Sequence, residues 1–136
     1  MKLPLSESEA QSLNALQLAY IGDAVYSLLA RLETLEGGTG VRGMHLSATS
    51  KVNASAQAVT LAKISGQLTQ MEQDIVKRGR NAHPRHPAPR SASSSDYSAS
   101  TGFEALMGYL YLTGRMDRID ALMASGKPSA APPSID

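Results

Sequence analysis

Apolar residues recur at helical spacing along most of this chain, and the strongest pattern runs from about residue 12 to 34. One apolar stripe of this segment consists of Leu13, Leu16, Tyr20, Ala24 and Ser27 or Leu28, and another of Leu18, Ile21, Val25, Leu29 and Leu32. A helix that is apolar on two faces packs on more than one side, so this segment is predicted to be the central helix. Gly22 lies in its middle, where glycine costs about 1 kcal/mol relative to alanine. Its small size is therefore expected to let another backbone come close.

Capping and stop signals predict several shorter helices in the rest of the chain. The expected segments are 41–51, 54–64, about 70–79, about 100–112 and 116–125. Asn53 is placed to cap the second of these, and Thr69 and Glu72 have the spacing of a capping box that opens the third. No strand-like alternation and no internal repeat is present. The sequence therefore predicts an all-α domain, a helical bundle.

Two segments lack the helical pattern. Residues 83–97 are mostly Pro, His, Arg, Ser and Ala, which is typical of a long exposed loop with basic character. Residues 127–136 are rich in Pro, Ala and Ser and are expected to be a disordered tail. A chain of 136 residues is too short for two ordinary domains, so residues 1–126 are predicted to form one.

Composition narrows the chemistry that is available. There is no cysteine, which excludes disulfides and thiolate metal sites, and the three histidines do not form a convincing zinc set. Any metal should therefore be a hard one bound through oxygen, such as Mg²⁺ or Mn²⁺. No segment approaches the roughly 20 apolar residues that span a bilayer, and no signal peptide is recognisable. A soluble, cytoplasmic protein without membrane contact is expected.

Two carboxylates occur in stretches that should be buried helix. Asp23 follows Gly22, and Glu104 lies between Phe103 and a run of apolar residues. Burying an unpaired carboxylate costs several kcal/mol, so the two acids are predicted to share one metal site assembled by folding. Asp23 could instead be a buried acid bonded to a helix terminus. Thr101 and Glu104 also have capping-box spacing, and on the residues alone that alternative is as good as ligation.

A basic stretch separates Asp74 from Asp96, because no acidic residue lies between them. It contains Lys77, Arg78, Arg80, Arg85 and Arg90, together with Asn81. Such a stretch can bind phosphate even though the formal net charge of the chain is only +1. The alternatives are a solvated loop and a helix end whose cations suit the helix dipole.

Five ordered blocks resemble one family. The sequence AYIGDAV at residues 19–25 resembles the signature helix of ribonuclease III catalytic domains, and FEALMG at 103–108 resembles their second conserved block. Three further blocks resemble the Mini-III ribonucleases, which lack a double-stranded-RNA-binding domain. These are Leu13, Asn14, Leu16, Leu18 and Ala19; Ala48, Thr49, Ser50, Val52, Ala54, Ala56, Gln57 and Ala58; and residues 77–82. The resemblance covers about residues 13–125.

The resemblance implies a ribonuclease III-like fold and a Mg²⁺-dependent endoribonuclease of double-stranded RNA, with Mn²⁺ as a substitute. It implies that Asp23 and Glu104 are the catalytic metal ligands, and that products carry 5′-phosphate and 3′-hydroxyl ends. It further implies a homodimer in which each subunit cuts one strand, with 23S ribosomal RNA precursor as the substrate and a ribosomal protein as a candidate helper. The expected RNA contacts are Lys77, Arg78, Arg80, Asn81, Arg85 and Arg90.

The chain departs from the full-length enzymes of that family at three positions. Those enzymes carry further carboxylates where this chain has Leu16, Ala19 and Thr101. Mini-III enzymes share this loss, so one well-held ion per subunit is expected, with a second arriving with RNA. The alternatives are an RNA-binding or ribosome-associated scaffold of the same fold without catalysis, and a small helical adaptor with no RNA role. Retention of both Asp23 and Glu104 favours the enzyme.

Overall fold

The computed structural model describes residues 1–36, 53–82 and 93–126. These ranges contain six α-helices and one 3-10 turn, Ser65–Gln67, and no strand. The helices are α1 (Glu7–Gln11), α2 (Ala15–Glu36), α3 (Ala54–Ile64), α4 (Gln70–Arg80), α5 (Ser94–Leu112) and α6 (Met116–Gly126). The predicted all-α fold is confirmed. The predicted helix at 41–51, the loop residues 83–92 and the tail at 127–136 lie outside the described residues.

The central helix is α5, and the prediction that α2 is central is wrong. Residues 99–110 of α5 are all buried except Glu104, and α2, α3 and α4 pack around this helix. Only one apolar stripe of α2 faces α5. The other is exposed at Leu16, Tyr20 and Leu28, because no described part of the chain covers it.

The predicted helix starts at Asn53 and Thr69 are confirmed. The Asn53 side chain accepts a hydrogen bond from the Ala56 amide at 2.8 Å. Thr69 and Glu72 form the reciprocal capping box, with donor–acceptor distances of 2.9 and 3.2 Å. A second capping box, between Ser6 and Glu9, opens the short helix α1, which the hydrophobic pattern did not indicate.

Helix α5 begins at Ser94, before the predicted start at about residue 100, so residues 94–97 are not part of a loop. Its N-cap is Ser93, whose hydroxyl accepts from the Asp96 amide at 3.0 Å. Thr101 is consequently an interior helical residue, and its hydroxyl donates to the Tyr97 carbonyl at 3.0 Å. A helix interior has no free amide for a capping box. The capping interpretation of Glu104 is therefore wrong.

Two crossings bring α5 into backbone contact with its neighbours. A Cβ atom added to Gly22 of α2 would lie 1.7 Å from the carbonyl oxygen of Glu104. A Cβ added to Gly79 of α4 would lie 2.6 Å from the Cα of Gly102. The expectation that Gly22 admits another backbone is confirmed, and both contacts lie within four residues of Glu104 on α5.

None of the described helices is both long and apolar enough to cross a bilayer.

Candidate active site

The crossing of α2 and α5 brings Asp23 and Glu104 together. Gly22 lies against the backbone of Glu104, and Asp23 follows it directly. The two carboxyl groups are close enough that Asp23 acts on the pKa of Glu104 through both a hydrogen bond and its charge. Glu104 is partly buried, whereas Asp23 is exposed. The expectation that Asp23 is buried is therefore wrong, because Asp23 lies at the edge of the α2 face that packs on α5.

Burial, together with the hydrogen bond and the charge of Asp23, raises the pKa of the Glu104 carboxyl to about 8. Gln57 acts in the opposite sense. Near neutral pH this carboxyl therefore retains its proton, because burial disfavours its charged form and because an ionised Glu104 is repelled by the charge of Asp23. Repulsion of this kind is what a bound cation relieves.

The donor set fits a hard divalent cation. Mg²⁺ binds through one or two carboxylates, keeps several waters and accepts phosphate oxygens, and the two acids supply that protein share. No third acid or histidine joins them, since the described residues contain no group of three such side chains that could hold a metal ion. Of the positions where a carboxylate is missing, Ala19 and Thr101 are buried and Leu16 is exposed. The arrangement provides two protein carboxylates for one ion.

Gln57 belongs to this site, although its place in the sequence gave no chemical role. It lies on α3 with 1% of its surface exposed. Its side-chain oxygen accepts a hydrogen bond from the Ser100 hydroxyl. Its Nε2 atom makes no hydrogen bond within the described part of the chain. The sequence signals were its membership of a block that resembles the family, where it was given no role, and a single amide among the apolar residues of α3.

The basic residues of α4 divide into exposed and structural ones. Lys77, Arg80 and Asn81 are exposed, and Asn81 is the C-cap of the helix. Arg78 is partly buried, and its Nη2 atom donates to the Leu13 carbonyl at 2.8 Å, which ties α4 to the start of α2. The other two predicted RNA contacts, Arg85 and Arg90, lie outside the described residues.

The outer face of α2 carries an apolar stripe that continues beside the acid pair. Its exposed members are Leu16, Tyr20 and Leu28, of which Tyr20 is 80% exposed, and Leu32 and Leu35 are further exposed leucines near the end of the helix. A cavity of about 460 Å³ opens at one end of the stripe, lined by Leu13, Tyr20, Ile21 and Leu112 among others. Monomeric proteins rarely expose a continuous apolar patch of this kind.

Comparisons with known proteins give matches that are consistent with one another. The family described as Ribonuclease III domain matches residues 16–115 of the chain. The chain is 48% identical over 113 residues to a Mini-ribonuclease 3 of Symbiobacterium thermophilum, covering 82% of this chain and 86% of that protein. It is 41% identical over 115 residues to a Mini-ribonuclease 3 of Streptococcus pneumoniae, covering 82% and 89%. The crystal structure of protein FN1578 from Fusobacterium nucleatum superposes with a TM-score of 0.76 at 29% identity, covering 83% and 90%.

Proposed function

The chain belongs to the ribonuclease III family, within its Mini-ribonuclease 3 group, and is an endoribonuclease; from this premise we propose that it cleaves double-stranded RNA with Mg²⁺ bound by Asp23 and Glu104. Nucleases of this family generally depend on a divalent metal. The observation that carries the proposal is the juxtaposition of the two carboxyl groups at the crossing of α2 and α5. Mn²⁺ is the expected substitute.

The two acids have different tasks in this proposal. When bound, Mg²⁺ supplies a lowered pKa for a coordinated water and stabilises negative charge on the scissile phosphate. Glu104 is partly buried and holds the inner side of the site, whereas the exposed Asp23 orients the attacking water. The water loses a proton and its oxygen bonds to phosphorus as the bond from phosphorus to the 3′ oxygen breaks, and the departing 3′ oxygen takes up a proton from solvent. The products are a 5′-phosphate and a 3′-hydroxyl.

The exposed end of α4 is proposed to hold the RNA backbone. Duplex RNA is recognised mainly through its phosphates, 2′-hydroxyls and shape, and Lys77, Arg80 and Asn81 supply exposed donors. Arg78 supports this surface from behind through its bond to Leu13, and Arg85 and Arg90 are proposed as further contacts. The proposed substrate is 23S ribosomal RNA precursor, which implies a cytoplasmic site of action. A ribosomal protein is a candidate helper.

A second copy of the chain is the proposed partner of the exposed stripe on α2. Each subunit contains one acid pair, and cutting both strands of a duplex requires two. A two-fold dimer supplies them and covers the stripe with the same surface of its partner.

Leu28→Lys, at a position that is 57% exposed, is expected to yield monomers in sedimentation. Val59→Lys on α3, at a position that is 55% exposed, is the matched control. A wild-type monomer at micromolar concentration that still cuts both strands contradicts the dimer.

The deciding experiment compares wild type, Asp23→Asn and Glu104→Gln on a structured RNA duplex in Mg²⁺. Wild type is expected to cut, and the variants to bind the duplex but cut at least about 100-fold more slowly, since each loses a charge that stabilises the transition state. Susceptibility of the products to a 5′-phosphate-dependent exonuclease checks the end chemistry. Equal cutting by all three proteins would remove the site assignment. Binding without cutting by the wild type would favour the scaffold alternative.

A further inference from the structure

We propose that Gln57 is a positioning residue for the acid pair: its amide, held by Ser100, orients the Glu104 carboxylate toward the bound metal ion. The inference rests on the proposed function, because it assigns Glu104 as a ligand. Gln57 touches neither the substrate nor the reacting atoms in this proposal. It acts only through Glu104.

The side-chain amide of Gln57 is buried, and only its oxygen has a hydrogen-bond partner. Gln57 is 1% exposed, and its oxygen accepts from the Ser100 hydroxyl. Its Nε2 atom has no hydrogen-bond partner among the residues that the structure describes. Leaving a buried donor unpaired is destabilising, and more than about 90% of buried polar groups in native proteins are paired. An unpaired donor beside a predicted ligand site therefore calls for a functional explanation.

The Nε2 atom of Gln57 lies on the side of its amide that is away from Ser100. Ser100 and Glu104 are four residues apart on α5, so their side chains lie on the same face of that helix. The amide oxygen is engaged by Ser100, which turns the Nε2 atom away from that hydroxyl. The side chain of Gln57 also lies close enough to the Glu104 carboxyl to act on it, although Nε2 makes no full hydrogen bond within the described residues. The free donor therefore lies on the Glu104 side.

An amide donor beside a metal-binding carboxylate can orient that carboxylate. A carboxylate has two oxygens, and a hydrogen bond to one of them fixes the plane in which the other meets a cation. An amide nitrogen can donate but cannot accept, so it favours the ionised carboxylate that a metal needs. Loss of an outer partner of this kind typically costs 10–100-fold in metal affinity or activity.

The test variant is Gln57→Met, which keeps the length of the side chain and removes the amide. The metal-free variant is expected to be at least as stable as wild type, because it no longer buries an unpaired donor, and Ser100 can bond to its own helix backbone. Calorimetric titration with Mn²⁺ alone is expected to show affinity about 10–100-fold below wild type. The Mg²⁺ concentration for half-maximal cleavage should rise by the same factor, while cleavage at saturating Mg²⁺ stays within a few-fold.

Two further variants complete the design. Ile64→Val, at a buried position on the same helix, controls for a modest loss of core packing and should leave Mn²⁺ affinity unchanged. Ser100→Ala frees the amide to rotate and should weaken Mn²⁺ binding several-fold, which decides the matter if Gln57→Met does not fold. If Gln57→Met folds and binds Mn²⁺ within two-fold of wild type, the inference is overturned. If Gln57→Met does not fold, the same result in Ser100→Ala overturns it. A wild type that neither binds Mn²⁺ nor cuts RNA overturns the proposed function instead.

Discussion

Gly22 and Gly108 face each other where α2 crosses α5, and each lies against the carbonyl oxygen of the residue four positions before the other. A Cβ on Gly22 would be 1.7 Å from the oxygen of Glu104, and a Cβ on Gly108 would be 1.9 Å from the oxygen of Leu18. Asp23 follows the first glycine, and Glu104 provides the carbonyl that the first glycine meets. The same crossing that joins the two helices therefore sets the separation of the two acids.

Gly22→Ala is expected to be strongly destabilising and to abolish cleavage. The added methyl group meets a backbone carbonyl rather than a flexible side chain, so the two helices must move apart. Overpacking a core typically costs about 1–3 kcal/mol, and we expect a loss at or above the upper end of that range. Urea unfolding measures the stability. Cleavage of duplex RNA measures the consequence for the acid pair.

Gly66→Ala is the matched control for this prediction. No atom lies within 4 Å of an added Cβ at Gly66. Gly114 is the described glycine with a positive φ, so alanine is compatible with the backbone at Gly66. Such a change stabilises by about 0.4–1 kcal/mol through the unfolded chain. If Gly22→Ala unfolds at the same urea concentration as Gly66→Ala, the tight crossing does not exist.

A second prediction concerns the pH dependence of the metal-free protein. Burial and Asp23 raise the pKa of Glu104 from its ordinary value of 4.5 to about 8. Between these values the native state holds a proton that the unfolded state releases. Stability therefore falls as pH rises through this window. Glu104→Gln removes the titrating group, so its melting temperature, measured with a chelator present, should gain on wild type from pH 5 to about pH 8 and gain little above that.

Added Mg²⁺ should restore the melting temperature that the metal-free wild type loses at high pH. A cation must displace the proton of Glu104 at pH 6 but meets an ionised carboxylate above pH 8, so binding and the stabilisation that follows from it strengthen with pH. The rise in melting temperature at a fixed Mg²⁺ concentration should be larger at pH 8.5 than at pH 6. Glu104→Gln should show little rise at either pH. A rise in wild type that is independent of pH contradicts the assignment of Glu104 as a ligand.

The basic residues of α4 should differ in whether they bind RNA or stabilise the fold. Lys77→Ala and Arg80→Ala remove exposed charges and should each weaken duplex binding and reduce the slope of log affinity against log salt by about 1. Arg78→Ala instead loses the bond to Leu13 and should cost about 1.5–3 kcal/mol of stability. Binding is measured in the Asp23→Asn background across a KCl series, so that cleavage does not interfere.

Lys63→Ala is the control for charge alone. Lys63 is an exposed lysine near the end of α3, beside a cavity that Asp120 and Met123 of α6 also line. Its removal changes the net charge as much as Lys77→Ala does, but it should leave the salt slope unchanged. Equal effects at positions 63 and 77 point to a diffuse charge effect, and the proposed RNA surface is then wrong.

The sequence predicted the parts of the site that local rules determine. Capping residues located the starts of α3 and α4, and two acids in apolar helices predicted one shared metal site, which stays a prediction. The surroundings of α2 were not predictable, because its pattern shows two apolar faces without showing whether the same chain covers both. Leu16, Tyr20 and Leu28 stayed exposed for that reason.

Other features depended on contacts that a single sequence does not contain. The first turns of α5 are Ser, Asp, Tyr and Ala, which carry a weak helical pattern, and the cap at Ser93 decided their structure. Gln57 lies in one of the blocks that resemble the family, but that block gave it no chemical role. Its role emerges only when the fold places Ser100 and Glu104 beside it.

The last prediction concerns the ion pair that fastens the start of α4 to α6. Glu72 is 3% exposed and accepts hydrogen bonds from Nε and Nη2 of Arg118 at 2.9 and 2.8 Å. It also accepts from the Thr69 amide in the capping box. Arg118→Met leaves a buried carboxylate without its charge partner and should cost on the order of 3 kcal/mol. Glu72→Gln/Arg118→Met should recover part of the loss, because the amide oxygen can still cap the helix.

Low pH should distinguish the charge interaction between Glu72 and Arg118 from the packing of their side chains. The hydrogen bond from Arg118 holds the pKa of Glu72 below its ordinary value, so the pair stabilises the fold above pH 4.5 and loses its effect as pH falls through the lowered pKa. The cost of Arg118→Met, measured by urea unfolding, should therefore be largest near pH 7 and shrink below pH 4. A cost that stays constant over this range means that Arg118 contributes through the packing of its alkyl chain and not through its charge.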